Sequence, residues 1–134
     1  MADVYRIEIL EARLRELTEI MPSIWETVIV SSDGFVVAAY PPPVMDDLFR
    51  DASTSQVAAM AASLMALGDQ TLTRLEHGHM RRMLIEGSNG VIVIYPINRS
   101  AALAVLVDSH SAKLGLVLHA IARASDTFAK YLPD

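Results

Sequence analysis

Cysteine is absent from the 134 residues. A disulfide framework and a thiolate zinc site are therefore both excluded. Aromatic side chains are scarce, at 6%, so Val, Ile, Leu and Ala must fill whatever core forms. No stretch approaches the roughly 20 apolar residues that a membrane helix requires. The opening MADVYRIEILEARLRELTEIM alternates charged with apolar residues. It lacks the basic start and unbroken apolar run of a signal peptide. A soluble, cytoplasmic protein with no direct membrane insertion is expected. A basic surplus is missing too: 11 Lys and Arg stand against 16 Asp and Glu, for a net charge of -5. Nucleic-acid affinity rests on neutralising phosphates, so nucleic acid is not expected as the main partner. Arg81-Arg82 is the sole adjacent basic pair.

What is present is apolar. Hydrophobic residues make up 52% and charged residues 20%, enough for residues 1–134 to fold as one domain with a real core. Val4, Ile7, Leu10, Leu14, Leu17 and Met21 recur every three or four positions and predict an amphipathic helix ended by Pro22. A strand is predicted from Ile24 to about Ser31, and a second from Phe35 to Tyr40, stopped by Pro41-Pro42-Pro43. Between them, Ser31-Ser32-Asp33-Gly34 reads as a turn, since Asp caps local N–H groups and Gly supplies positive φ. Residues 41–54 read as a loop with one helical turn around 46–49. Ser53 or Thr54 opens a long helix that reaches Glu76, with Gly78 as terminator.

Two hairpin strands follow, Met80 to Glu86 and Val91 to Ile97, joined through Asn89-Gly90 at positive φ. Ala102 to Val107 is a fifth strand. Lys113 to Tyr131 is the last helix, with Leu114, Val117, Leu118, Ile121 and Phe128 inward. The order αββαβββα has connections too short for crossovers, so neighbouring strands are antiparallel. VIVS, VIVIY and ALAVLV are apolar at nearly every position, which requires cover on both faces. The predicted fold is an α/β three-layer sandwich: a five-stranded antiparallel sheet with helices on both faces.

The middle helix departs from the usual pattern. Val57, Met60, Ala61, Leu64, Leu67, Gly68, Leu72 and Leu75 form its predicted core stripe. Ala58, Ala59, Ala62, Met65 and Ala66 carry the apolar surface far round the cylinder. A helix apolar on most faces is buried on most faces, and a domain this small cannot surround it alone. It is expected to pack on its own sheet and on a second subunit, with a two-fold dimer as the default. The competing reading is a surface helix rich in alanine for its helix propensity.

Chemistry is hard to find. His77 and His79 flank Gly78; an H-x-H pair binds zinc only with a third ligand, and nothing fixes Glu76 or Glu86 nearby. They read as a solvated junction. Asp108-Ser109-His110-Ser111 reads as a turn rather than a triad, whose members come from separate segments. His119 reads as a structural histidine between apolar neighbours. No nucleophile elbow, P-loop or dinucleotide fingerprint occurs. No catalytic residue, metal or cofactor is expected, and a binding or regulatory module is favoured over an enzyme.

Taken in order, Leu14 and Leu17, VIVSSDGFVVA (28–38), AAMAASLMAL (58–67), RRMLIEGSNGVIVIYPI (81–97) and ALAVLV (102–107) resemble the Roadblock/dynein light-chain superfamily, in its short, stand-alone prokaryotic form. The likeness runs from about residue 7 to 131. It implies the fold derived above and a homodimer through the second helix and an edge strand near 80–86. Ala58, Ala62, Met65, Ala66, Arg82 and Leu84 would then lie at the dimer interface. The resemblance also implies a non-enzymatic platform that binds a small Ras-like GTPase and modulates its nucleotide cycle or location. Other members of the family are encoded beside sensor kinases and a GTPase, so the resemblance also offers a sensor-kinase complex as a candidate partner. In activating cases the platform reorganises the GTPase's own residues. Helical spacing offers Gln56, Ala59, Ser63, Ala66, Gln70 and Arg74 as partner-binding positions. Two other readings stay open: a small-molecule sensor domain of a signalling complex, and a hydrolase using Asp108, His110 and a serine.

Overall fold

The chain runs α1 (Ala2–Ile20), β1 (Ile24–Ser31), β2 (Val36–Tyr40), α2 (Leu48–Arg74), β3 (Met83–Glu86), β4 (Val91–Pro96), β5 (Ala101–Val107) and α3 (Leu114–Phe128). This computed structural model describes residues 2–42, 48–110 and 113–133, and the side chains of 6–42, 54–110 and 113–133. All strand pairs are antiparallel, and the sheet order is β2-β1-β5-β4-β3. No helix among the described residues is long and apolar enough to cross a membrane.

The continuous apolar strands split their side chains between two cores, as the period-2 alternation of a strand demands. Leu103, Val105 and Val107 of β5 face α1 and α3 with Leu10, Leu14, Val117, Ile121 and Phe128. Ala102 and Ala104 face α2 with Val28, Val30, Ile94, Val57 and Ala61. The predicted three-layer sandwich is therefore the observed one. Alanine on the α2 side of β5 lets that helix lie close to the sheet.

Polar groups inside the layers have partners. The buried Thr27 hydroxyl donates to the carbonyl of Tyr40 at 3.1 Å. The Ser125 hydroxyl donates to the carbonyl of Pro96 at 3.1 Å, tying α3 to β4. Asn98 anchors the chain end: its Nδ2 donates to the carbonyl of Leu132 at 3.1 Å, while its Oδ1 accepts the N–H of Ser100 at 2.9 Å.

Several predicted boundaries move. α2 already runs from Leu48, ahead of the expected start at Ser53 or Thr54. The Thr54 hydroxyl does not cap a helix; it donates to Glu26 Oε1 at 3.0 Å and pins α2 to β1. Of the helical turn expected around 46–49, residues 46 and 47 lie outside the described residues. β3 begins at Met83 rather than Met80.

The Asn89-Gly90 hairpin also differs from expectation. Positive φ occurs at Gly34, Gly78 and Glu76 among the described residues, and not at Asn89 or Gly90. A wider loop closes on Gly87 N–H donating to the Gly90 carbonyl at 2.7 Å. Gly90 is needed for space instead: a Cβ there would meet the Trp25 ring at 3.2 Å and the Val107 carbonyl oxygen at 3.3 Å.

α2 stops before Gly78, the predicted terminator. His77 N–H donates to the Leu72 carbonyl at 2.8 Å and Glu76 N–H to the Thr73 carbonyl at 3.1 Å. These two bonds make a Schellman cap. Its left-handed position, φ 58, is held by Glu76, where glycine is the usual occupant. Glu76→Gly is expected to raise unfolding stability by about 0.5–1 kcal/mol, because it relieves that conformation at an exposed site. Urea denaturation reads the change; a loss of stability would contradict the cap assignment.

Candidate interaction surface

Ser31-Ser32-Asp33-Gly34 turns the chain. Gly34 N–H donates to the Ser31 carbonyl at 2.9 Å, and Phe35 N–H to Ser31 Oγ at 3.1 Å. Gly34, at φ 89, also sits against α2, with Ala59 Cα 3.6 Å and Ala62 Cβ 3.7 Å from where a side chain would begin. The turn thus marks one flank of α2.

Gly68 marks the opposite flank. A Cβ there would lie 2.8 Å from Met80 Sδ and 2.9 Å from Met83 Cε. Asp69 Oδ1 accepts the Met80 N–H at 3.0 Å. The C-terminal half of α2 is therefore fastened to the segment that enters β3.

Between these flanks lies the outward crest of α2. Gln56, Met60, Ser63, Leu67, Gln70 and Arg74 follow one another at three- and four-residue steps, which is one helix face, and all are exposed. Met60 is 53% and Leu67 59% exposed. Residues 54–68 contain no charge, so the first four turns of this face are solvated by small polar groups alone. β3 is the last strand of the sheet and pairs only with β4 among the described residues. Its outer backbone groups form an open edge. Ile85, 44% exposed, stands on it. At Gly68, α2 comes against Met83 of β3, so the helix and the open edge lie on the same layer of the sheet.

The structure corrects the predicted α2 stripe. Met60, Leu67 and Leu75 point outward, while Ala58 is fully buried and Ala62 and Met65 pack on the α2-side core. Ala58 is thus unavailable to a second chain. Ala62 and Met65 are held by the sheet, and Ala66 is exposed but lies one turn from Ala62, on the flank away from β3. Leu84 packs into the opposite core with α1 and α3, whereas Arg82 is exposed beside the open edge. Every predicted partner-binding residue, Gln56, Ala59, Ser63, Ala66, Gln70 and Arg74, is exposed. Met60, Leu67 and Ile85 were missed as outward residues. Between Thr54 and Gly68 no charge marks which apolar residues face water, so spacing alone chose the wrong side.

The other candidates fall apart as sites. His77 and His79 are exposed, and no group of three or more His, Asp or Glu among the described residues could hold a metal ion. Asp108 Oδ1 accepts the backbone N–H of His110 at 3.0 Å, an Asx turn rather than a carboxylate–imidazole pair. Ser111 lies outside the described residues. His119 is exposed, not a core histidine.

A family model, the Roadblock/LC7 domain, matches residues 11–107. The chain belongs to the Roadblock/LC7 family. That match spans every strand and α2, and stops where β5 ends. Among solved structures, a Roadblock/LC7 domain from Streptomyces avermitilis superimposes with a TM-score of 0.79 at 21% identity, covering 90% of this chain and 95% of that one. MglB from Myxococcus xanthus gives 0.79 at 17% identity, covering 96% and 93%. An MglB structure with a tetrameric arrangement gives 0.78 at 19%, covering 94% and 89%. At these identities the likeness to each structure is one of fold. Among curated proteins none matches. Within the Roadblock/LC7 fold, the surface singled out by this chain's own geometry is the α2 crest with the β3 edge.

Proposed function

We propose that this Roadblock/LC7 chain is a non-enzymatic homodimeric platform that binds a small Ras-like GTPase and modulates its nucleotide cycle or its location. One observation carries the reading: α2 is uncharged from Thr54 to Gly68 and bares Met60 and Leu67 on the layer that also holds the open β3 edge. A second copy is the occupant that satisfies both features at once. Two β3 edges pair antiparallel across a two-fold axis, and two α2 helices cover each other's Met60 and Leu67. This places the dimer contact on the β3 flank of α2, at Met60, Leu67, Ile85 and the β3 backbone, with Arg82 at its rim. It moves the contact away from Ala58, Ala62, Met65 and Leu84.

The opposite flank of α2, away from Met60 and Leu67, is then left for a different partner. Ala59, Ser63 and Ala66 are small and permit close approach of a partner's backbone; Gln56, Gln70 and Arg74 supply hydrogen bonds around them. The membership of the family supports a GTPase as that partner, as does the resemblance of the whole chain to GTPase platforms.

The test uses a small Ras-like GTPase encoded in the same genome, with the full chain. Binding is expected, together with a change of tenfold or more in single-turnover GTP hydrolysis or nucleotide release if the platform acts on the cycle. Binding without a rate change would assign the scaffold role. Ala66→Arg, on the flank away from β3, is expected to weaken binding at least tenfold while leaving the mass of the platform unchanged. Absence of any interaction with every such GTPase of that genome would sink the proposal.

A further inference from the structure

Away from α2, the opposite layer carries an elongated groove of about 500 Å³ between the C-terminal half of α1 and α3. The two helices run antiparallel there: Ile20 and Met21 lie opposite Leu116, while Arg13 lies toward Thr127 and Phe128. Its floor is apolar, built from Leu17, Met21, Ala120 and Ala124. Two large apolar side chains stand on its lip in water, Ile20 at 68% and Leu116 at 56% exposure.

The groove is polarised along its length. One end is Ile20, Met21 and Leu116, and it runs on into a second hollow of about 350 Å³ beside Pro22 and Val117. Further along come His119 at mid-length and then Arg13, Glu16 and Arg123. Within that set the charges are unequal. Arg13 Nη1 binds both carboxylate oxygens of Glu16, at 3.1 and 3.0 Å, and also reaches Tyr131. Glu16 is thereby neutralised. The ion pairs among the described residues are Arg13–Glu16 and Arg15–Glu19, so Arg123 pairs with no carboxylate among them. His119 stands one helical turn from Arg123 on the same face, and both are exposed. In a chain of net charge -5, this end of the groove is locally cationic.

We propose that the α1/α3 groove is a binding site for a monomeric alkyl carboxylate, a medium-chain fatty acid. Its head sits at Arg123, and its tail lies along Ala120 and Leu17, past His119, toward Ile20 and Leu116. The dimensions fit. From Leu116 to Arg123 the helix rises about 10 Å, the reach of an extended chain of about eight carbons, and longer tails pass into the second hollow. A carboxylate accepts paired guanidinium donors, which a hydroxyl or ammonium head cannot do. The tail covers the apolar lip that water otherwise wets. This site shares no residue with the α2 surface, and it stands or falls independently of the GTPase reading.

The test is titration of the full chain, followed by amide NMR shifts, with hexanoate, octanoate, decanoate and decyltrimethylammonium below their micelle concentrations. Saturable shifts confined to α1 residues 13–21 and α3 residues 114–128 are expected. Each added pair of methylenes should tighten binding about three- to fourfold for a half-covered chain. The cationic amphiphile should bind at least tenfold more weakly than decanoate. Arg123→Gln, at an exposed position, should weaken decanoate about fivefold or more and leave the fold intact; Leu116→Ser should erase much of the chain-length dependence. Equal binding of both heads, or no change with Arg123→Gln, would overturn the proposal. So would sedimentation showing that Leu116→Ser lowers the oligomeric mass, because the groove would then be an interface between copies of this chain.

Discussion

Leu67→Glu is expected to convert a particle of twice 14.6 kDa into a monomer of 14.6 kDa at micromolar concentration. Leu67 is 59% exposed and makes no part of either core. The substitution therefore leaves the folded chain within about 0.5 kcal/mol of its original stability. In the proposed dimer the same side chain lies between two helices. A carboxylate there is desolvated without a partner, and the symmetry of the contact brings in two of them. Loss of a central apolar contact of this kind costs about 2–4 kcal/mol per site, or a dissociation constant weaker by about two orders of magnitude or more. Light scattering over a dilution series checks it, with circular dichroism to confirm folding. Met60→Glu, seven residues earlier on the same face, should act alike. A native chain that stays monomeric, or a Leu67→Glu chain that stays dimeric, would remove the α2 crest from the interface.

Phe128→Ala should be the most destabilising single truncation in the α1/α3 core. Phe128 is the largest fully buried side chain among the described residues, 1% exposed, and closes that core at the end of α3. Truncation leaves a cavity in addition to the lost transfer energy, about 3–5 kcal/mol together. Against the 5–15 kcal/mol typical of folded chains, that is a large fraction. With a urea slope of about 2 kcal/mol/M, the midpoint should fall by roughly 2 M. The measurement needs a fixed protein concentration, since self-association adds to apparent stability. A shift below about 0.5 M would mean that the α3 end is not packed as described.

Much of the fold was legible because its signals are local. Pro22 and the triple proline bounded the first three elements, and Asp33-Gly34 turned as read. VIVIY and ALAVLV demanded two covered faces, and the structure divides them between two cores as alternation requires. Glu76 was illegible, because a helix cap in the left-handed region normally announces itself by glycine, and Gly78 stood two residues away as a decoy. Asn89-Gly90 carried a turn signal whose geometry differs: Gly90 is there for the Trp25 ring, a residue distant in sequence. His119 had apolar neighbours along the chain, but those neighbours sit on other faces of α3.

By itself the sequence determined the element order, the antiparallel sheet, the two-faced cover and the unusual nature of α2. These follow from short-range steric preferences and from where apolar side chains recur, both of which are written along the chain. Only the tertiary structure decided which side of α2 meets the sheet. From Thr54 to Gly68, where α2 carries no charge, two apolar faces have nearly equal claim, and the choice is made by contacts from elsewhere. Gly34 fits under Ala59 and Ala62, Met80 and Met83 fit against Gly68, and Thr54 is held by Glu26. Those contacts turn Met60 and Leu67 outward, and so they decide which residues a partner can reach.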